Sequence, residues 1–289
     1  MNAYDYIFSR QVQWAYNHGV QLVGSKIERG RPAYTRQLRD NLFQPMDAET
    51  ERDFEGGDGG ELRPVKGGLP RMHAVHSSSA LGVNVFEYWK TADKITPIAT
   101  ACGFCRQDNK ASLRLRFEDN RHVISTRFEN SPNIDVVIEN TDDANRFAFA
   151  VECKFTEAYS NRGHSGLSEK YFGSDVSWEG LSHLMELSLS ISPSDNTFRH
   201  LHPAQLVKHV LALRKSFGEE RFRLLYLWYD APGEEGVRHR REVEQFKDVA
   251  EKDGVRFDGC TWQELIGRLA SDHRSEHKEY ITYITSRYF

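Results

Sequence analysis

Two acidic residues and a lysine stand where a strand pattern brings them together. Asp135 lies in PNIDVVIEN, and sixteen residues later VECK supplies Glu152 and Lys154. Residues two apart on a strand share a face, so Glu152 and Lys154 project together while Val151, Cys153 and Phe155 point the other way. A Glu and a Lys inside an apolar run need a reason, because buried charge is costly unless paired or bound to metal. If IDVVI pairs with FAFAVECKF, Asp135 comes beside Glu152, and adjacent carboxylates repel unless a cation or a proton sits between them. For oxygen donors the natural cation is hard and divalent, Mg²⁺ or Mn²⁺. The bland alternative is a structural ion pair of Lys154 with one acid, which leaves the other carboxylate uncompensated.

The tripeptide [DE]xK is weak by itself. It occurs at Asp108-Asn109-Lys110, Glu152-Cys153-Lys154 and Glu276-His277-Lys278. Only the middle copy sits in a strand-like run with an aspartate strand before it; the others read as solvated surface.

The elements that must position the trio follow from periodicity. SSSALGVNVFEYWK (77–90) starts with serine caps and carries an apolar helical face. A short helix is expected at 95–103. LRLRF (113–117), IDVVI (134–138) and FAFAVECKF (147–155) read as three strands, the last two a hairpin through ENTDDANR. Residues 156–200 form a long polar excursion with a helix near 178–190, the pattern of a functional flap. A helix from Pro203 to about 216 and a central strand at 221–229 come next. A helix near 238–252, a strand at 255–257 and a helix at 261–270 close the chain. Before all this lie a helix over 4–23 that stops ahead of Gly19, a short helix at 34–43, and an acidic then glycine-rich loop from Asp47 to Pro70. The loop lacks the GxxxxGK[ST] spacing of a phosphate cradle.

On these residues and this order, the chain resembles the PD-(D/E)XK nuclease superfamily. Pro132 and Asp135 stand for its first half and Glu152-Cys153-Lys154 for its second, and the run KFTE (154–157) is similar to that of bacterial restriction-endonuclease-like proteins. The resemblance covers roughly residues 75–230. It implies an α/β fold with an αβββαβ core, a mixed sheet flanked by helices, and a helical N-terminal part. The division expected is a helical segment with a Gly-rich loop at 1–74 and a nuclease-like domain at 75–289, its flap at 156–200. By resemblance, Asp135, Glu152 and the carbonyl of Cys153 ligate Mg²⁺ or Mn²⁺, and Lys154 orients or helps deprotonate the attacking water and offsets charge on the phosphate. The superfamily's first helix often adds an acid, for which Glu87 is the candidate. Its later helix often adds a polar residue, for which Gln205, one turn before Lys208 and His209, is the candidate. Glu157 is a lesser candidate, as partner or cap.

The implied activity is metal-dependent cleavage of DNA in restriction or phage defence. Two rivals stay open: a catalytically silent relative that binds nucleic acid or a partner protein, and a nuclease for RNA or branched or damaged DNA. Basic residues expected at the nucleic acid are Arg114, Arg116, Arg121, His122 and Arg127, with Arg162, His164 and Lys170 in the flap. The formal charge of -4 excludes binding by bulk electrostatics alone. A homodimer is left open.

With 289 residues, 28% charged and 39% hydrophobic, no run approaches the roughly 20 apolar residues of a membrane span. The start, MNAYDYIFSR, lacks the marks of a secretory signal, so the expected compartment is the cytoplasm. Four cysteines are too few for a disulfide scaffold, and CGFC (102–105) has no second pair to complete a zinc site.

Overall fold

Three consecutive alternating segments become three consecutive strands. In the computed structural model, which describes residues 1–57, 59–121, 123, 132–142 and 146–289, they are β3 (Leu113–Asn120), β4 (Asn133–Asn140) and β5 (Ala148–Lys154). They follow α1 (Ala3–Asn17), the short strands β1 (Leu22–Val23) and β2 (Tyr34–Thr35), α2 (Ala48–Gly56), α3 (Ser78–Thr91) and α4 (Ile95–Ala101). The flap holds β6 (His164–Ser165), α5 (Ser182–Ser190) and β7 (Ser194–Asp195). Then come α6 (Pro203–Phe217), β8 (Phe222–Trp228), α7 (Glu234–Lys252), β9 (Phe257–Thr261), α8 (Trp262–His273) and α9 (Lys278–Tyr288).

The main sheet runs β3-β4-β5-β8-β9, antiparallel among the first three and parallel from β5 to β9. Parallel neighbours need a long crossover, which the flap with α6 supplies for β5 to β8 and α7 for β8 to β9. The order α3, β3, β4, β5, α6, β8 is the αβββαβ core, with β9 added at its edge.

Strand alternation divides the interior into two layers. Val136, Ile138, Val151, Cys153, Leu225 and Leu227 pack with α3, α4, α8 and α9. Val137, Ala148, Ala150, Leu224, Tyr226 and Trp228 pack with α5, α6 and α7. By the same parity Glu152 and Lys154 belong to the second face, at the end of β5 where the apolar cover gives way.

The N-terminal part departs from the sequence expectation at two places. Residues 34–43 form β2 and a 3-10 turn at Leu38–Asn41 in place of a helix. The segment read as loop from Asp47 contains α2, capped by the Asp47 carboxylate, which accepts from the Thr50 N–H at 2.7 Å. Its Phe54 is buried against Phe117, ring centroids 5.7 Å apart. One aromatic among charges is too thin a stripe to announce a helix. Ala3, Ile7, Leu42, Met46, Phe54 and Met72 join the core shared by α3 and α8.

The sequence reading also stopped short of α9. This helix buries Tyr280, Ile281, Ile284 and Tyr288, and its Arg287 is 1% exposed. The guanidinium needs no carboxylate, because it donates to the Asn41 carbonyl at 2.8 Å and to Gln11 Oε1 at 3.2 Å, and lies 4.4 Å from the Trp14 ring centroid. Neutral acceptors and an aromatic face thus tie the C-terminal helix to α1. Among the described residues no helix is long and apolar enough to cross a membrane.

Candidate active site

The sheet brings the sequence-derived trio to one place. Val136 pairs with Val151 across β4 and β5, and one further step sets Asp135 beside Glu152. There the backbone ladder gives way to a side chain: the Cys153 N–H donates to Asp135 Oδ2 at 2.6 Å. Lys154 Nζ donates to Glu152 Oε1, the two being neighbours on one strand face. The end of β5 is held firmly, since the Lys154 carbonyl accepts from the Tyr229 N–H at 3.2 Å and the Trp262 indole at 2.9 Å. Glu152 is fully buried, whereas Asp135 is half-buried and the Lys154 side chain keeps 15% of its exposure. Solvent therefore reaches the site past Asp135 and Lys154.

Two residues that the sequence reading had not placed here complete the arrangement. His209, fully buried on α6, hydrogen-bonds Glu152 Oε2 through Nε2 at 2.7 Å. A carboxylate only accepts, so Nε2 carries the proton; Nδ1 is buried and has no hydrogen-bond partner among the described residues. The signal was a lone imidazole among Leu206, Val207, Val210 and Leu211, where a polar ring requires a partner. The second residue is Glu118. β3 pairs with β4 on either side of it, but Glu118 itself, opposite Asp135, is skipped and has φ of 46°. The kink turns its carboxylate toward Asn133, whose Nδ2 donates at 2.9 Å, and toward Gly57, where a Cβ would stand 3.0 Å from Glu118 Oε2. Nothing in the pattern LRLRFEDN announces that kink.

Charge sets the protonation states. Burial alone would raise Glu152, but Lys154 and His209 overcome it and hold the carboxyl down at about 2. Burial would lower Lys154, but Glu152, Asp135 and Glu157 outweigh it and hold the ammonium above its usual value. Burial and then Glu152 push Asp135 well above the carboxylate range, and Glu118 adds to this while Lys154 opposes it. Burial, Glu61 and Glu152 push Glu118 up to about 7. Carboxylates thus outnumber ammonium groups here.

Such a surplus suits a cation. Asp135 Oδ1 makes no hydrogen bond among the described residues. Hard oxygen donors with excess negative charge fit Mg²⁺ or Mn²⁺, and Mg²⁺ is characteristically held by one or two carboxylates with water and substrate phosphate in the remaining positions. No three His, Cys, Asp or Glu side chains among the described residues are grouped so that they could hold a metal ion together.

Glu118 yields a test of these charges in the metal-free protein. Between roughly pH 4.3, where a free glutamate ionises, and about 7, the folded chain keeps a proton on Glu118 that the unfolded chain has lost. The folded state then binds more protons, so stability falls as pH rises through this window. Glu118→Gln is expected to flatten the fall, measured as urea midpoint against pH in EDTA. An unaltered slope would assign the effect elsewhere.

The remaining candidates lie apart from the trio or at its margin. Glu87 is fully buried at α2, accepting from the Asp47 N–H at 2.7 Å and the Thr50 hydroxyl at 2.8 Å. Both its oxygens are thereby used in holding α2 to α3. Gln205 is half-buried, one turn before His209 on the same face of α6, and its side chain makes no hydrogen bond among the described residues. Glu157 is exposed and begins a 3-10 turn. The Cys153 thiol is buried on the opposite face, where burial pushes it up; Cys102, Cys105 and Cys260 are likewise free thiols.

Of the basic residues, Arg114 pairs with Glu49, Arg116 with Asp119 and Glu139, and Arg121 with both of those acids. Carboxylates already neutralise these three. His122 and Arg127 lie outside the described residues. Arg162 is exposed, while His164 and Lys170 are half-buried in the flap.

No curated protein and no solved structure matches the chain. A family profile described as Restriction Endonuclease associating with ARP does, over residues 7–289, a span that includes the N-terminal helices, the whole sheet and the carboxylate–lysine site. On that match the chain belongs to the REase-ARP family.

Proposed function

We propose that this chain is a divalent-metal-dependent endonuclease that hydrolyses DNA phosphodiester bonds, acting in restriction or phage defence. The family description, a restriction endonuclease, supports the nuclease class and a DNA substrate. The observation that carries the chemistry is the junction of Asp135, Glu152 and Lys154 at the end of β5, with more carboxyl groups than ammonium groups and a route to solvent.

A Mg²⁺ or Mn²⁺ ion held by Asp135, Glu152 and the Cys153 carbonyl would lower the pKa of bound water and offset charge on the phosphoryl oxygens. Lys154 stays protonated beside its carboxylates, so its task is donation to an oxygen that gains charge and orientation of the attacking water. It does not serve as a base at neutral pH. Glu152 stays ionised, and His209 fixes its orientation by occupying one oxygen. A cation held there would favour the ionised form of Asp135, which burial and Glu152 disfavour.

The direct test is incubation of supercoiled plasmid with the purified protein, with Mg²⁺ or Mn²⁺ and with EDTA. Nicked or linear product in metal and none in EDTA is the expected outcome. Intact plasmid in every metal, with RNA and branched DNA also uncut, would reject the nuclease reading.

A further inference from the structure

The site stands where the sheet comes apart, so the backbone there must be held by something else. On the β4 side the ladder to β5 ends at Val136 and Val151, and the Cys153 N–H turns instead to the Asp135 side chain. On the β8 side Lys154 pairs with Trp228 as the last rung. Lys154 therefore ends its strand with sheet on one side only.

One helical turn from outside the αβββαβ core reaches this place. β9 ends at Thr261, level with Trp228 and Lys154, and α8 starts at Trp262. A capping box sets that turn: the Thr261 hydroxyl accepts from the Glu264 N–H at 3.1 Å, and Glu264 Oε2 accepts from the Thr261 N–H at 2.9 Å. The two side chains after the cap are both spent on the ends of other strands. Trp262 Nε1 donates to the Lys154 carbonyl at 2.9 Å. The Gln263 amide accepts from the Asp230 N–H at 3.1 Å and donates to the Asp230 carbonyl at 3.0 Å, just past β8.

The Lys154 carbonyl already accepts from the Tyr229 N–H at 3.2 Å, so the indole is a second donor and not the rescue of an orphan. Two donors on one oxygen fix the peptide that follows Lys154, and with it the direction in which the side chain leaves the strand. Trp262 is fully buried in the layer that holds Val151 and Cys153, its ring centroid 6.3 Å from that of Phe86. That layer lies across the sheet from the Lys154 ammonium, so the indole is closed to a bound strand and acts only through the backbone.

We propose that Trp262 is a positioning residue for Lys154: its indole N–H, set by the capped start of α8, replaces the backbone support that the sheet gives up to form the site. That this support serves cleavage rests on the nuclease reading above.

The test is Trp262→Phe, which keeps an aromatic ring and removes the donor, beside Trp262→benzothienylalanine, in which sulfur replaces the N–H in a ring of nearly the same shape. In EDTA, ¹⁵N-lysine NMR follows the Lys154 ammonium, assigned by its loss in Lys154→Met, and its signal is expected to move or broaden in both variants. In Mg²⁺, single-turnover plasmid cleavage is expected to slow about tenfold, the factor one net hydrogen bond is worth when it holds a reacting group. Mn²⁺ affinity by calorimetry is expected to hold, because the carboxylates of Asp135 and Glu152 are untouched. If Trp262→Phe fails to fold, the isosteric variant decides alone. An unchanged Lys154 signal in that variant, or a fall in cleavage matched by an equal fall in Mn²⁺ affinity, would overturn the positioning role. The two readings fail separately: a moved signal in a protein that never cuts DNA retains the positioning role and rejects the nuclease, and an unmoved signal with undiminished cleavage does the reverse.

Discussion

Replacing Lys154 by methionine is expected to slow DNA cleavage by about 10³-fold or more, measured as single-turnover plasmid nicking in Mg²⁺. The size follows from the work assigned to the ammonium. A donor aimed at developing charge is worth about 10² to 10³ when removed, and orientation of the water adds to that. Methionine keeps the length and apolar contacts of the stem, so the strand is preserved. Glu152 keeps one partner, because His209 still donates to Oε2. Lys154→Arg keeps the charge but spreads it over a planar fork on a longer stem, and partial activity is expected. Cleavage by Lys154→Met at the unmodified rate would remove the mechanism.

Asp135→Asn is expected to produce two effects of opposite sign. Cleavage and Mn²⁺ binding should fall, cleavage by about 10³-fold or more, since a neutral amide is a poor ligand for a hard cation. Stability in EDTA at pH 7 should rise, because an acid whose pKa is raised in the folded state costs stability once the pH exceeds its unfolded value. Asp135 is shifted upward by burial and by Glu152. The amide oxygen can still accept from the Cys153 N–H, so the local hydrogen bond survives. Activity traded against stability marks a site strained for function. Urea melts with and without Mn²⁺, beside calorimetric titration of Mn²⁺, measure both effects. Lower stability in EDTA would mean that Asp135 serves structure.

What could be read in advance was whatever depended on neighbours in sequence. Glu152 and Lys154 share a face by strand parity alone, and a hairpin between IDVVI and FAFAVECKF has one register that buries Val136 and Val151 together. Asp135 follows from that register. The order of helices and strands from α3 to β8 was legible for the same reason.

Long-range placement was not. Glu87 reads as an acid on the first core helix, but its orientation depends on α2, whose Thr50 and Asp47 backbone take both its oxygens, and the charged sequence of α2 reads as loop. Gln205 and His209 lie one turn apart on α6, and only the packing of α6 on the sheet decides that His209 meets Glu152. The arginines of β3 look like phosphate contacts until Glu49, Asp119 and Glu139 are seen beside them. In each case the deciding partner comes from another element, and spacing carries no trace of it.

The most direct measurement is anomalous diffraction from crystals of the protein soaked in Mn²⁺. The account predicts a peak bound by carboxylate oxygens of both Asp135 and Glu152, beside Lys154, and its loss in Asp135→Asn. A chain that cuts DNA in Mn²⁺ with no peak at these two carboxylates, or with its ion held elsewhere, would contradict it.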